Sequence, residues 1–267
     1  MRVLAVDWSG KQYGAGSAIW LAEVSDGEVS RLESGRGREQ LTDHLIDLAQ
    51  REPAFVVGLD FAFSLPAWFL QEQGLESVRE LWESMDAGAD DWLRPPKPPF
   101  WGAAGKAASG LLPEQEFRKT EREHAAVAGI RAQSVFKLVG AGQVGAGSLR
   151  GMRALNRLSK EGFRIWPFDE PALPLVVEIY PRLLTGPVNK GSAEHRQRYL
   201  ERFPNLSERI RISASSSEDG FDALVSALVL ARHQNGFSTL RAEPEFASRA
   251  ASGRLGRASE AAVTLAI

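Results

Sequence analysis

The spacing of apolar residues changes several times along the chain, and each change marks an element. Val3 to Trp8, Gly16 to Val24 and Glu28 to Glu33 read as three strands, with Ser25-Asp26-Gly27 supplying the residues of a tight turn between the last two. Strands joined so closely form an antiparallel meander. Leu41, Leu45 and Leu48 then recur at helical spacing, and residues 55 to 60 (Phe-Val-Val-Gly-Leu-Asp) form an apolar run of the kind buried on both faces of a sheet. A helix between two strands makes them parallel, and the right-handed crossover places the run beside the first strand, in mid-sheet. Helical spacing returns at Glu114 to Val127. It appears again where Leu149, Met152, Leu155 and Leu158 form an apolar stripe, with Arg150, Arg153, Arg157 and Lys160 as a basic one. Residues 175 to 180 (Leu-Val-Val-Glu-Ile-Tyr) predict a further strand, ended by Pro181, and Asp219 to His233 a last strong helix.

Residues 64 to 113 differ in character. They hold Pro66, Pro95, Pro96, Pro98, Pro99 and Pro113 together with Trp68, Trp82, Trp92 and Trp101, and read as an insertion or lid, partly irregular, within one domain spanning residues 1 to 267. The tryptophans either stack on bases or pack the insertion onto the body.

Composition narrows the chemistry. With 267 residues, 43% of them hydrophobic, the chain is long enough to bury a core and reads as folded rather than disordered. There is no cysteine and only four histidines, none at metal-binding spacing, so thiol chemistry and soft-metal sites drop out and hard oxygen ligands remain. The first apolar run is too short for a signal peptide and no run approaches the ~20 residues of a membrane span, so a cytoplasmic protein without a membrane partner is expected. The formal charge of −2 is uneven: residues 113 to 164 carry 10 basic and 5 acidic groups, which marks them as the expected anion-facing surface. The run from Gly140 to Gly145 satisfies G-x-G-x-x-G but lacks the repeated strand-helix pattern and the later acid of a dinucleotide site; Gly102 to Ser109 fails as a phosphate loop.

Four acids stand in or against apolar elements: Asp7, Asp60, Glu178 and Asp222. Alternation puts Val3, Ala5 and Asp7 on one face, and Val56, Gly58 and Asp60 on one face, so adjacent parallel strands present both acids at one edge. Asp219 and Asp222 share a helix face, although Ser216 and Asp219 also fit a capping box. Glu178 is either part of the acidic group or the partner of an arginine such as Arg182. Two ionised carboxylates ~4 Å apart repel by roughly 4 kcal/mol at an effective dielectric near 20, and a hard divalent cation relieves this at neutral pH. Two such ions also supply a mechanism for phosphodiester hydrolysis.

The segments Val6-Asp7-Trp8-Ser9-Gly10, Val57 to Pro66, Val177-Glu178-Ile179-Tyr180-Pro181 and Asp219 to Leu224, in that order, resemble the domain-of-unknown-function 429 family of predicted RNase H-like nucleases. Asn189-Lys190-Gly191 looks like that family's lysine-containing segment. The resemblance implies an α/β RNase H-like fold, with a five-stranded mixed sheet of order 3-2-1-4-5 flanked by helices. It also implies an acidic cluster of Asp7, Asp60 and Asp222, with Glu178 or Asp219, binding two Mg2+ or Mn2+ ions. On that reading Asp7 bridges the ions and Asp60 and Asp222 hold one each. Glu178 is a further ligand or positions the water, and Lys11, Arg150, Arg153, Arg157 and Lys190 hold the phosphates of a nucleic acid substrate. Two alternatives stay open: an actin-like nucleotide phosphotransferase, in which Asp7 to Lys11 is the phosphate turn, and a non-catalytic RNase H-like scaffold that binds a protein or RNA partner.

Overall fold

The computed structural model describes residues 1–94, 98–102, 110–123, 129–140 and 143–242. Among the described residues six strands form one mixed sheet: β1 (Arg2–Asp7), β2 (Trp20–Ser25), β3 (Glu28–Ser34), β4 (Phe55–Leu59), β5 (Arg164–Ile165) and β6 (Leu175–Glu178). Among the described residues the helices are α1 (Arg38–Arg51), α2 (Ala67–Glu72), α3 (Val78–Leu93), α4 (Pro113–Glu116), α5 (Lys119–Glu123), α6 (Gly145–Lys160), α7 (Pro181–Thr185), α8 (Ala193–Leu200), α9 (Glu208–Ser216) and α10 (Glu218–Arg232). None of them is long and apolar enough to cross a membrane.

The sheet order is β3-β2-β1-β4-β6-β5, with the first three strands antiparallel and β1, β4, β6 and β5 mutually parallel. The expected five strands of order 3-2-1-4-5 are therefore corrected to six. The added strand is the two-residue β5 at the edge, too short to show any periodicity in the sequence. The β2–β3 hairpin turns on Asp26 and Gly27, both at positive φ, which is the geometry that suits the twist of paired strands. The second strand begins at Trp20 rather than Gly16, because Gly14 takes a left-handed conformation and Ala15–Ala18 coil into a 3-10 turn.

Each face of the sheet has its own core. Leu4, Val6, Leu21, Val57 and Leu59 pack with Leu41 and Leu45 of α1, Leu81 and Trp82 of α3, and Leu149, Met152 and Leu155 of α6. Val3, Ala5, Ala22, Val56 and Val177 pack against Ala223, Ala227 and Leu230 of α10. Gly58 has no side chain for a reason: a Cβ there would lie 2.7 Å from both Ile179 and Leu230. The strand alternation read from the sequence thus turns the odd positions of β1 and the even positions of β4 toward α10.

The Pro/Trp-rich stretch is more regular than expected, since α3 alone spans 16 residues. Trp82 is buried in the core and Trp68 and Trp92 pack half-buried against it, and the Trp82 indole donates to the Phe63 carbonyl at 2.7 Å. Pro95, Pro96, residues 103–109 and the middle of the Gly140–Gly145 run lie outside the described residues, as does the tail from 243. Gly145 opens α6 where a Cβ would meet the Val135 carbonyl at 2.5 Å, so packing demands that glycine. The helix expected from Glu114 to Val127 is divided, over its described part, into α4 and α5 by extended backbone at Phe117, where Arg118 turns into the interior, and residues 124–127 lie outside the described residues.

Candidate functional site

The carboxyl ends of β1, β4 and β6 open into a cleft of about 900 Å³. In sheets of parallel strands that end is where ligands bind. Asp7 closes β1, and Asp60 follows β4, its amide donating to the Val6 carbonyl at 3.0 Å, so strand pairing itself holds the two acids side by side. The second turn of α10 brings Asp222 to the same place. The Ser217 hydroxyl caps that helix by accepting from the Gly220 amide at 3.1 Å, which corrects the expected cap at Ser216 and leaves Asp219 free of a capping role. Asp7, Asp60, Asp219 and Asp222 all line the cleft.

Their environment is costly for negative charge. The Asp7 carboxyl is raised well above the usual range by burial, then by Asp60, Asp222 and Asp219, against a lowering by Lys190. Asp60 is raised by burial and by Asp222, against a lowering by Lys190. Asp222 is pushed up to about 6, chiefly by burial, despite Lys190. Asp219, at the rim, is raised by burial and by Glu218. Asp222 Oδ2 accepts from the Lys190 ammonium, while its Oδ1 is buried with no hydrogen-bond partner. Tyr180, also facing the cleft, is pushed up to about 12 by burial and by Asp60 and keeps its proton at neutral pH.

Glu178 stands beside this group but is otherwise engaged. Arg118 reaches it with NH2 to Oε1 at 2.6 Å and NH1 to Oε2 at 3.0 Å, and the Phe63 amide donates to Oε2 at 2.8 Å. Arg118 also grips Glu121, through Nε at 3.0 Å and NH2 at 2.8 Å. Burial opposes the guanidinium charge, and the two glutamates more than compensate, holding Arg118 above its ordinary value. The arginine partner of Glu178 is thus Arg118, and Arg182 instead donates to the Val188 carbonyl at 2.6 Å. Arg118 and Glu121 were not legible as site residues, because in the charged run of residues 118 to 123 nothing marks one arginine as the buried one.

Of the five cations assigned to phosphate, Lys11 and Lys190 line the cleft and the three arginines of α6 do not. Arg157 pairs with Glu39 at 2.7 Å and Asp43 at 2.6 Å on α1. Arg153 lies between Glu39 and Asp86. Arg150 pairs with Asp90 of α3 at 2.6 Å and donates to the Gly10 carbonyl. With Arg38, whose guanidinium donates to the Ser9 carbonyl at 2.9 Å, Arg150 therefore fixes the turn that follows Asp7.

The donor set suits a hard cation, being all oxygen and including an orphaned buried acceptor on Asp222. As the side chains stand, with the Lys190 ammonium among them, no three His, Cys, Asp or Glu residues among the described ones are disposed as a ready set of metal ligands. No family model, curated protein or solved structure matches the chain.

Proposed function

We propose that this chain is a divalent-cation-dependent hydrolase of phosphodiester bonds in nucleic acid, built on an RNase H-like sheet. The observation that carries the reading is the meeting of Asp7 at the end of β1, Asp60 just after β4 and Asp222 on α10, two buried and one half-buried, as mutually repelling carboxyls at one cleft. Acids are not kept in such an environment by packing, since apolar residues of similar size would be more stable there. The antiparallel meander followed by parallel strands, with acids at the carboxyl edge, also agrees with the resemblance of Val6–Gly10, Val57–Pro66 and Asp219–Leu224.

Asp7, Asp60 and Asp222 would hold Mg2+ or Mn2+, with Asp219 at the rim. Such ions, when bound, supply Lewis acidity toward a phosphoryl oxygen and a water made acidic enough to ionise near neutral pH. The chain's own groups bind and orient. Lys11 and Lys190 present ammonium groups to a phosphate, and the Tyr180 hydroxyl remains a donor. Glu178, with both oxygens engaged, fixes the main chain at Phe63 behind Asp60 and is left out of the ligand set. Arg150, Arg153 and Arg157 are left out of phosphate binding on the same grounds.

The test is hydrolysis of a panel of single-stranded, duplex and branched DNA and RNA with Mn2+, comparing the wild-type chain with Asp7→Asn. The variant is expected to lose more than the roughly 100-fold that follows loss of an outer-shell partner. Equal activity in the two proteins, or activity undiminished by EDTA, would refute the proposal.

A further inference from the structure

Lys190 lies in the loop between α7 and α8 and is tied down from behind. Arg196 of α8, only 6% exposed, donates through NH1 to the Lys190 carbonyl and through Nε and NH2 to the Ser215 carbonyl, at 3.0 and 2.7 Å. Ser215 is two positions before Ser217, the cap of the helix that carries Asp219 and Asp222. One guanidinium therefore joins the loop bearing the cation to the junction bearing the acids. With its main chain fixed, Lys190 has one movable part, its four-carbon stem, and the ammonium at the tip is seated on Asp222 Oδ2. A second cation cannot take that carboxylate cheaply while the ammonium stays, because like charges at contact distance repel strongly in a site of low dielectric.

We propose that Lys190 is the resident counter-ion of the metal-free site and that it exchanges with the divalent cation on Asp222. Binding of the ion sends the ammonium into the cleft, where it becomes the phosphate ligand. The inference rests on the metal-dependent reading above. It makes substrate phosphate and metal bind in favour of one another, since each prefers the lysine off Asp222, and the coupling is reciprocal. Metal occupancy is thereby reported to the substrate side of the cleft without movement of the backbone.

The experiment is amine acylation of the wild-type chain, read by mass spectrometry at Lys190 and Lys11, with and without Mn2+ alone, alongside calorimetric Mn2+ titration of wild type and Lys190→Met. Lys11 faces the same acids through Asp219, so it senses the field of the ion without losing a partner. Labelling of Lys190 is expected to rise at least about threefold more than that of Lys11, and Lys190→Met to bind Mn2+ about tenfold more tightly, the size of coupling common between linked sites. If Mn2+ binds and Lys190 labelling only tracks Lys11, the exchange is wrong and the metal reading stands. If neither protein binds Mn2+, both fall. The labelling uses the unaltered chain, so a misfolded variant does not decide the matter.

Discussion

Replacing Arg118 by methionine tests whether the buried triad Glu121–Arg118–Glu178 supports the wall of the cleft. The side chains of Arg118, Glu121 and Glu178 are 2%, 5% and 8% exposed, so the two carboxylates left behind have little water to turn to. Four side-chain hydrogen bonds disappear, all charge-assisted. They do not add, and breaking a buried pair by removing one partner costs about 3–5 kcal/mol. The pH dependence has a definite sign. Burial already raises Glu178 above its ordinary value with Arg118 present, and loss of the arginine raises it further. A carboxyl whose folded value exceeds its unfolded one binds protons better when folded, so stability falls as pH climbs above the unfolded value and recovers toward it. In urea melts followed by tryptophan fluorescence, Arg118→Met should lower the midpoint at pH 8 by about 1–2 M for m near 3 kcal/mol/M. The deficit relative to wild type should shrink at pH 5, and adding Glu178→Gln should restore part of it at pH 8. A deficit below about 1 kcal/mol at pH 8, or one that is the same at both pH values, would show that the triad does not carry the charge balance assigned to it.

Two further outcomes follow from the geometry. Asp7→Asn should raise stability by about 1–3 kcal/mol at pH 8, because the ionised carboxyl is penalised above its unfolded value, and should gain little at pH 4; thermal melts at both pH values check this, and a destabilised variant at pH 8 would contradict it. Gly10→Ala would set a Cβ 2.7 Å from the Gly147 amide nitrogen and 3.0 Å from the Ala146 carbonyl carbon, both backbone, so the turn after Asp7 must shift; a loss of about 1–3 kcal/mol with a more than tenfold fall in hydrolysis is expected, and wild-type values in both assays would refute the close approach.

Much of this architecture was written in local periodicity. The meander, the buried run Phe55–Leu59 and the last helix are each set by neighbours a few positions apart, and strand alternation was enough to place Asp7 and Asp60 on the face that α10 covers. Asp222 stood out because an acid in an otherwise apolar helix face needs a reason. What the sequence hid depends on partners distant along the chain. The basic stripe of α6 looked ready for phosphate because its complement, Glu39 and Asp43 on α1 with Asp86 and Asp90 on α3, lies in a different third of the sequence. The positive middle segment and the acidic N-terminal third are thus partly two halves of one set of ion pairs. Glu178 was ambiguous for the same reason, its partner Arg118 being 60 residues away.

The packing of α10 over β1, β2 and β4 also sets the order in which the site comes into being. Asp7 is among the first residues of the described chain and Asp222 among the last, and the helix that carries Asp222 is the cover for Val3, Ala5 and Ala22. A growing chain has its meander early, with that apolar face bare, and pairing of β4 with β1 supplies only Asp7 and Asp60 until the helix brings Asp222. The same docking event closes the core and brings the repelling charges together, so the energy released by burying one face is what holds the acids in place. Without α10 the sheet edge holds Asp7 and Asp60 alone, with neither Asp222 nor the cover for Val3, Ala5 and Ala22.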